Sequence, residues 1–227
     1  MYPYIKRFFD IVLSLLVLIV LFPFLLLIII LLLLTGENHV FYYQRRIGFH
    51  NSHFDMIKFA TMLKNSPNIG TGIITLRNDP RVTPIGSFLR KTKLNELPQV
   101  LNVLKGDMSI VGPRPLVDKT FNAYPEELRV NVYNSKPGIT GIGSIVFRDE
   151  EEVISNAKMP PHEFYKKYVA PYKGELEIWY NRKKSFGVDF MIIFLTAWVI
   201  LFPKSRLMYS VFKDLPVRKE ADMVEHL

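Results

Sequence analysis

Three short stretches of this sequence have residue types and spacing suited to chemistry. Gly112-Pro113-Arg114-Pro115 sets one arginine between two prolines. Proline fixes its own φ and restricts the residue before it, so Arg114 sits in a chain with little freedom. A guanidinium held that way is preorganised to clamp a phosphoryl group. The same residues also suit a rigid structural turn. Asn95-Glu96-Leu97-Pro98-Gln99 reads as a helix start, with Asn95 capping free amides and Glu96 in the first turn. Such a start is an anion site, and a carboxylate there can hold Mg²⁺ or act as a nucleophile. The third stretch runs from Arg77 through Arg81 and Arg90 to Lys91 and Lys93, five cations with Asp79 the only acid among them. Clustered Arg and Lys suit the oxygens of a diphosphate, and equally a face resting on anionic lipid.

Weaker candidates surround these. Asp107, in Lys105-Gly106-Asp107-Met108-Ser109, adds a carboxylate that also reads as a turn former. Asp149 to Glu152 is an acidic run, read as a solvated loop. The five histidines show no compact ligand spacing.

The elements that must position these residues are short. Val40 to Tyr43 and Phe54 to Phe59 read as strands, with turn chemistry at Gly48 and Asn51-Ser52. Asn65 to Gly72 reads as a loop. Helices are expected over Ile85 to Arg90 and from about Asn95 to Lys105, where Gly106 terminates. Ser109 to Pro115 reads as a strand entering a rigid turn, and Glu126 to Tyr133 as a helix ended by Lys136-Pro137-Gly138. From Pro161 a helical region alternates Phe164, Tyr165, Tyr168, Tyr172, Trp179 and Tyr180 with lysines and arginines, a pattern of membrane-interface helices. Phe190 to Phe202 is apolar and too short to span a bilayer, so it suits an interfacial or core helix. The tail after Pro203 is polar and is expected to lack structure.

The apolar run at the N-terminus bounds the class. Ile11 to Leu34 carries no charge, and only Ser14 and Pro23 interrupt it. As a straight helix these residues would reach about 36 Å, enough for a hydrocarbon core of about 30 Å. Pro23 near the midpoint removes a backbone donor. Lys6 and Arg7 precede the run and Arg45 and Arg46 follow it, so the charge rule favours neither orientation. A hairpin entering and leaving by one face puts both flanks in the cytoplasm. An ordinary spanning helix with a tolerated proline is the plainer reading. The run lacks a small-x-small cleavage site and is expected to persist as an anchor. The formal charge of +8 on an anchored chain points to anionic headgroups or phosphorylated substrates. No nucleic-acid readout motif is present. The absence of cysteine excludes disulfides, thiolate chemistry and Cys-ligated zinc or iron–sulfur sites.

Taken together, the motifs resemble the bacterial sugar transferase family, the monotopic phosphoglycosyl transferases that act on polyprenyl phosphate. The resemblance covers nearly the whole chain. It runs through Lys6-Arg7-Phe8-Phe9-Asp10, Phe41-Tyr42-Tyr43-Gln44-Arg45-Arg46-Ile47-Gly48, Lys58-Phe59-Ala60-Thr61-Met62, Asp79-Pro80-Arg81 and Leu89-Arg90-Lys91-Thr92. It continues through Asn95-Glu96-Leu97-Pro98-Gln99, Leu104-Lys105-Gly106-Asp107-Met108-Ser109, Gly112-Pro113-Arg114-Pro115 and Lys136-Pro137-Gly138-Ile139-Thr140-Gly141.

What the resemblance implies is an irregular, helix-rich α/β fold with short strands, an N-terminal re-entrant membrane helix-break-helix and interfacial amphipathic helices. Residues 1–36 would be the hairpin, 37–203 the catalytic domain on the cytoplasmic face of the bacterial inner membrane, and 204–227 a polar tail. The implied reaction moves a sugar-1-phosphate from a UDP-sugar to undecaprenyl-type polyprenyl phosphate, releases UMP and uses Mg²⁺. It starts assembly of a surface polysaccharide or glycoconjugate. Membrane phospholipids are the further partner, nucleic acid is none, and a homodimer is compatible. By motif match Lys58, Arg90 and Arg114, with Arg81, bind substrate phosphates. Asn95 and Glu96 are catalytic, Glu96 holds the metal, and Asp107 and Asp189 support the site. Three positions depart from the family pattern. Asn95 stands where an Asp nucleophile is usual, Ala60 where an Arg is frequent, and Phe22 where a small polar residue often precedes the hairpin proline. The Asn-Glu pair resembles a recurring variant. Either Glu96 is the nucleophile, or the polyprenyl phosphate attacks directly while Glu96 holds the metal. The rival class is a non-catalytic membrane-surface module that binds anionic or polyprenyl phosphate lipids.

Overall fold

A computed structural model describes residues 1–35, 37–66, 79–148 and 150–216. The chain begins with α1 (Tyr2–Thr35), a single helical element with Pro23 inside it. The expected helix-break-helix is not seen as an interruption of secondary structure at Pro23. Pro23 removes only one donor from the ladder, leaving the Ile19 carbonyl without its usual partner, and the turns on either side retain theirs. Among the described residues α1 is the one helix long and apolar enough to cross a membrane. Most of its apolar side chains are exposed, Ile19, Phe22 and Leu34 among them, while Asp10, Ser14, Ile28 and Leu32 are buried.

The chain divides into two compact units. One comprises Phe9–Arg45 and Asp55–Gly106, the other Met1–Phe8, Arg46–Phe54 and Asp107–Leu227. Strands β1 (Phe41–Ile47) and β2 (His53–Phe59) pair as a two-stranded sheet, both longer than the sequence pattern indicates. The turn between them holds His50 and Asn51 at positive φ. In the first unit follow α2 (Pro84–Lys91) and α3 (Gln99–Lys105). Ile28, Leu32, Phe59 and Leu89 form its apolar core. Thr83 caps α2, its hydroxyl accepting from the Gly86 amide at 3.0 Å. The expected loop over Asn65 to Gly72 lies largely outside the described residues.

The helix expected from Asn95 starts four residues later. Leu94–Glu96 form a 3₁₀ turn instead, and Pro98 stands at the N-cap of α3. Asn95 therefore does not cap an α-helix, and Glu96 lies outside the first turn of α3. Asn102 explains how this short helix is tied down. It is fully buried, its Nδ2 donating to the Asp55 carbonyl at 2.8 Å and its Oδ1 accepting from the Ile57 amide at 2.9 Å. One amide side chain thus pairs with β2 as a neighbouring strand would.

The second unit contains β3 (Ser109–Val111), α4 (Asp118–Phe121), α5 (Glu126–Val132), β4 (Gly138–Thr140), α6 (Ile142–Val146) and α7 (Glu150–Ser155). Then come α8 (Pro161–Phe164), α9 (Ala170–Lys183), α10 (Phe186–Leu201) and α11 (Leu207–Val211), with a π-helical turn at Tyr165–Val169 joining α8 to α9. β3 and β4 pair in parallel, Ser109 opposite Gly138 and Val111 opposite Thr140. β4 was not expected from sequence, because three residues after a Pro-Gly pair look like the end of a turn.

One interface expectation changes here. Phe164, Tyr165, Tyr172, Trp179 and Tyr180 are all buried in the core of this unit rather than facing outward. Large rings contribute the most area on burial, and the interleaved basic residues apart from the buried Lys173 need only the opposite face. α10 does present an outer apolar face. Phe186, Phe190, Phe194 and Leu201 are exposed, while Ile192, Leu195 and Val199 enter the core. The segment expected to be a structureless tail forms α11 and buries Met208, Phe212 and Leu215.

Asn102→Leu keeps the volume and removes both bonds to β2. Leaving a buried N–H and C=O unpaired is expected to destabilise the protein by about 3 kcal/mol. Denaturant melting in detergent measures it, and a loss under about 0.5 kcal/mol would show that Asn102 is not the tie.

Candidate functional site

In the first unit, β2, the 3₁₀ turn and α2 bring sequence-predicted residues together. Lys58 Nζ on β2 lies 2.9 Å from Glu96 Oε1, with both side chains largely shielded from solvent. Lys93, which opens the turn, has φ 60°, a left-handed conformation unfavourable for a side chain bearing a Cβ. Strain of this kind is concentrated at functional sites. Beside Glu96, Asn95 Oδ1 is buried and has no hydrogen-bond partner among the described residues. Arg90, in the last turn of α2, donates from Nε to Thr61 Oγ1 at 2.8 Å. Gly86 allows that approach, because a Cβ there would lie 2.1 Å from the Thr61 carbonyl oxygen.

Arg81 is placed differently. Its guanidinium is buried, gripped by Asp79 Oδ1 at 2.8 Å and Oδ2 at 2.6 Å, and it donates to the Ser66 carbonyl at 2.8 Å. This fork-on-fork pair braces the segment leading into α2. Asp79 holds the guanidinium above its ordinary pKa, chiefly through the hydrogen bond.

The second unit builds the turn that carries Arg114. From Val111 to Leu116 only Arg114 is exposed. Its carbonyl accepts from the Tyr133 hydroxyl at 2.8 Å, and that hydroxyl accepts from the Leu116 amide at 2.9 Å. Arg46 Nη1 donates to the Pro115 carbonyl at 3.1 Å. The Gly112 amide bonds Thr140 O and the Gly138 amide bonds Pro113 O, both at 2.9 Å, which continues the β3–β4 ladder into the turn. Gly112 and Gly138 are required for it. A Cβ on either would lie 2.1 Å from the facing backbone.

Asp107 is a half-buried turn residue following Gly106, whose φ of 96° ends α3. Asp189 lies in the first turn of α10 and is buried. Its Oδ2 receives Lys6 Nζ at 2.7 Å and the Tyr2 hydroxyl at 2.8 Å, and its Oδ1 the Tyr180 hydroxyl at 2.7 Å. Asp189 therefore fastens the start of α1 to α9 and α10.

Sequence reasoning missed Asn102, Tyr133 and Glu177. Glu177 on α9 is 2% exposed, and burial pushes its carboxyl up to about 8, against the opposing effects of Lys173 and the Arg114 main-chain amide. Lys173, also buried, pairs with Glu150 at 2.5 Å. Nothing local marks such residues, since their roles depend on which distant backbone they meet. Among the described residues no group of three or more His, Asp or Glu side chains converges on a metal position. Glu96 and the adjacent Asn95, whose buried amide oxygen has no partner among the described residues, offer oxygen donors of the kind a hard cation takes. Mg²⁺ commonly takes one or two protein oxygens and completes its shell with substrate phosphates and water.

A family model described as bacterial sugar transferase matches residues 1–203. The undecaprenyl-phosphate galactose phosphotransferase of Salmonella typhimurium is 32% identical over 212 residues, 87% of this chain and 40% of that protein. The exopolysaccharide production protein ExoY of Sinorhizobium fredii is 36% identical over 171 residues, 69% of this chain and 75% of that protein. The undecaprenyl-phosphate glucose phosphotransferase of Komagataeibacter xylinus is 35% identical over 201 residues, 84% of this chain and 35% of that protein. The chain thus spans well under half the length of the two phosphotransferases and three quarters of ExoY.

Two measurements check this description. Asp189→Ala strands Lys6 and frees the start of α1, with an expected loss of about 3 kcal/mol. Faster proteolysis near Lys6 in the variant than in the parent reads the release, and equal rates would contradict the clamp. Glu177 binds its proton more tightly folded than unfolded. It should lower stability as pH rises from about 4.5, its ordinary value, to about 8, and add no further slope above that. Melting curves across this range should converge with those of Glu177→Gln at low pH and fall below them by pH 8. Parallel curves would contradict the buried protonated acid.

Proposed function

Because the chain belongs to the bacterial sugar transferase family, we propose that it transfers a sugar-1-phosphate from a UDP-sugar to undecaprenyl-type polyprenyl phosphate, releasing UMP. The observation that carries the reading is the Lys58–Glu96 pair beside the unpartnered Asn95 amide oxygen. A carboxylate and a cation meet there, and the preceding residue of the strained turn carries a buried acceptor with no partner among the described residues. The relatives named as undecaprenyl-phosphate phosphotransferases support the same chemistry. Exopolysaccharide production by ExoY supports a place at the start of surface polysaccharide assembly.

Phosphoryl transfer needs positioning and charge stabilisation above all. Lys58 neutralises one oxygen of Glu96 and is a point charge for a phosphate oxygen once substrate competes for it. Arg90 and the rigidly presented Arg114 are the fork-like phosphate ligands, and Arg81 braces the segment behind Arg90. Glu96 and Asn95 Oδ1 would hold Mg²⁺, which when bound neutralises charge on the transferring group. Glu96 is either the nucleophile, a carboxylate oxygen attacking the phosphorus bound to the sugar and expelling UMP, or an electrostatic anchor for direct attack by polyprenyl phosphate, which likewise expels UMP. An amide at Asn95 has no comparable nucleophilicity, so its role is to orient.

A water-soluble donor and a lipid-bound acceptor meet only at the membrane surface. In this reading α1 is monotopic, bent at Pro23 so that both ends stay on the cytoplasmic face of the inner membrane. Basic residues at both ends support it.

Purified protein supplied with polyprenyl phosphate, Mg²⁺ and a panel of UDP-sugars is expected to release UMP. Lipid binding without UMP release from any donor would leave a non-catalytic surface module instead. Glu96→Gln should remove nearly all turnover, and Asn95→Ala should be milder. Arg114→Ala should abolish transfer in a folded, membrane-bound protein, with lysine rescuing poorly because it lacks a two-pronged contact. Full UMP release by Glu96→Gln would move the search to Asp107. Mass spectrometry after quenching with donor alone separates the two routes, since only a covalent one leaves a phosphosugar on Glu96.

Single cysteines near Met1 and Leu227 should both be shielded from an impermeant thiol reagent added outside intact cells. Labelling of the N-terminal site alone would establish a spanning helix. Pro23→Ala should move some molecules toward that form.

A further inference from the structure

Proline alone does not fully set the backbone of Arg114. The ring of Pro115 keeps Arg114 in the extended region but tolerates ψ over about 40°. Rotation about ψ turns the carbonyl against the Cα–Cβ bond. Holding that carbonyl therefore holds the direction in which the exposed side chain leaves the turn.

The carbonyls of Pro113, Arg114, Pro115 and Leu116 each accept a hydrogen bond. The Gly138 amide bonds Pro113 O at 2.9 Å, Arg46 Nη1 bonds Pro115 O at 3.1 Å, and the Ile47 amide bonds Leu116 O at 2.8 Å. The Arg114 carbonyl is held by a neutral side chain, accepting from the Tyr133 hydroxyl at 2.8 Å. The same hydroxyl oxygen accepts from the Leu116 amide at 2.9 Å, so one atom brackets Pro115 from both sides.

Tyr133 is suited to that task because it is itself immobilised. It is 1% exposed, and its ring lies 5.9 Å from that of Phe121 between centroids. Its carbonyl accepts from the His50 amide at 2.9 Å, in the turn between β1 and β2. The two carbonyls before it, those of Asn131 and Val132, accept from Asn181 Nδ2 at 2.8 Å and 3.0 Å. A hydroxyl carried by backbone held at three consecutive carbonyls has little play of its own.

We propose that Tyr133 is a positioning residue for the transfer: its hydroxyl fixes the main-chain angle of Arg114 and so aims the guanidinium at the donor's phosphates. This rests on the reading of Arg114 as a phosphate ligand. The ring of Tyr133 fills the core and its hydroxyl does the aiming, so phenylalanine separates the two roles.

Steady-state kinetics of the full-length protein in vesicles, with polyprenyl phosphate and the UDP-sugar that supports UMP release, test this. Tyr133→Phe is expected to lower kcat/KM for the donor about tenfold. In an Arg114→Lys background the same change should lower it less than about twofold, because a point charge on a flexible stem has no aim to lose. Thermal stability should fall equally in both backgrounds, since the carbonyl at position 114 and the Leu116 amide are left unpaired in each. If Tyr133→Phe is too unstable alone, sucrose favours the folded state, and parent and variants are compared in it. A tyrosine that only stabilised the fold would give equal activity losses in both backgrounds, and that result overturns the proposal. So does parental donor kcat/KM in Tyr133→Phe. If Arg114→Ala impairs donor use and Tyr133→Phe does not, this proposal alone fails. If Arg114→Ala leaves donor use unchanged, the phosphate reading of Arg114 fails as well.

Discussion

Strands this short leave main-chain polar groups that no neighbouring strand can reach, and buried side chains must complete them. The two sheets have two strands each, and β3 and β4 are three residues long. Asn102 stands in for a strand beside β2. The Tyr133 hydroxyl bridges the carbonyl and amide on either side of Pro115. Asn181 donates to the carbonyls of Asn131 and Val132 at the end of α5. The first two fix backbone that carries or adjoins a candidate site residue, Lys58 or Arg114, so stability and the geometry of the candidate site depend on the same few bonds.

Interior charge follows a matching logic. Asp79 and Arg81 are buried together in a fork-on-fork contact, and Asp189 receives three donors. Ion pairs at these depths are costly to break because the remaining charge has no water to turn to. They are brackets between segments. Arg114 is the counterexample, an exposed cation on a rigid and otherwise buried turn. The contrast separates arginines that hold the protein together from one available to a ligand.

Apolar surface is divided with equal economy. The outer faces of α1 and α10 stay exposed, while the aromatic stretch from Phe164 to Tyr180 is spent on the core. Lipid accepts aliphatic surface that water penalises, so an anchored protein can leave such faces open at little cost. The buried rings pack at mixed angles, as with Trp179 against Phe212 at 64°.

The sequence by itself determined whatever a local rule encodes. The long apolar helix was legible because 24 residues carry no charge, and the rigid Arg114 turn because proline restricts backbone angles wherever it occurs. The α2 boundaries and the Gly106 stop were likewise near their observed places, since caps and left-handed glycines act over one turn. Tertiary structure decided the rest. It replaced the Asn95 helix start with a 3₁₀ turn, because Lys93 adopts positive φ and α3 begins only after Pro98. It turned the aromatic residues of that stretch inward and gave the polar tail a helix, because amphipathic periodicity says that a face is buried and not against what. It brought Lys58 to Glu96 across 38 positions of chain and set the Tyr133 hydroxyl against the Arg114 carbonyl. Such pairings have no signature at the level of single residues. Each partner is ordinary alone, and only the path of the backbone between them makes the contact.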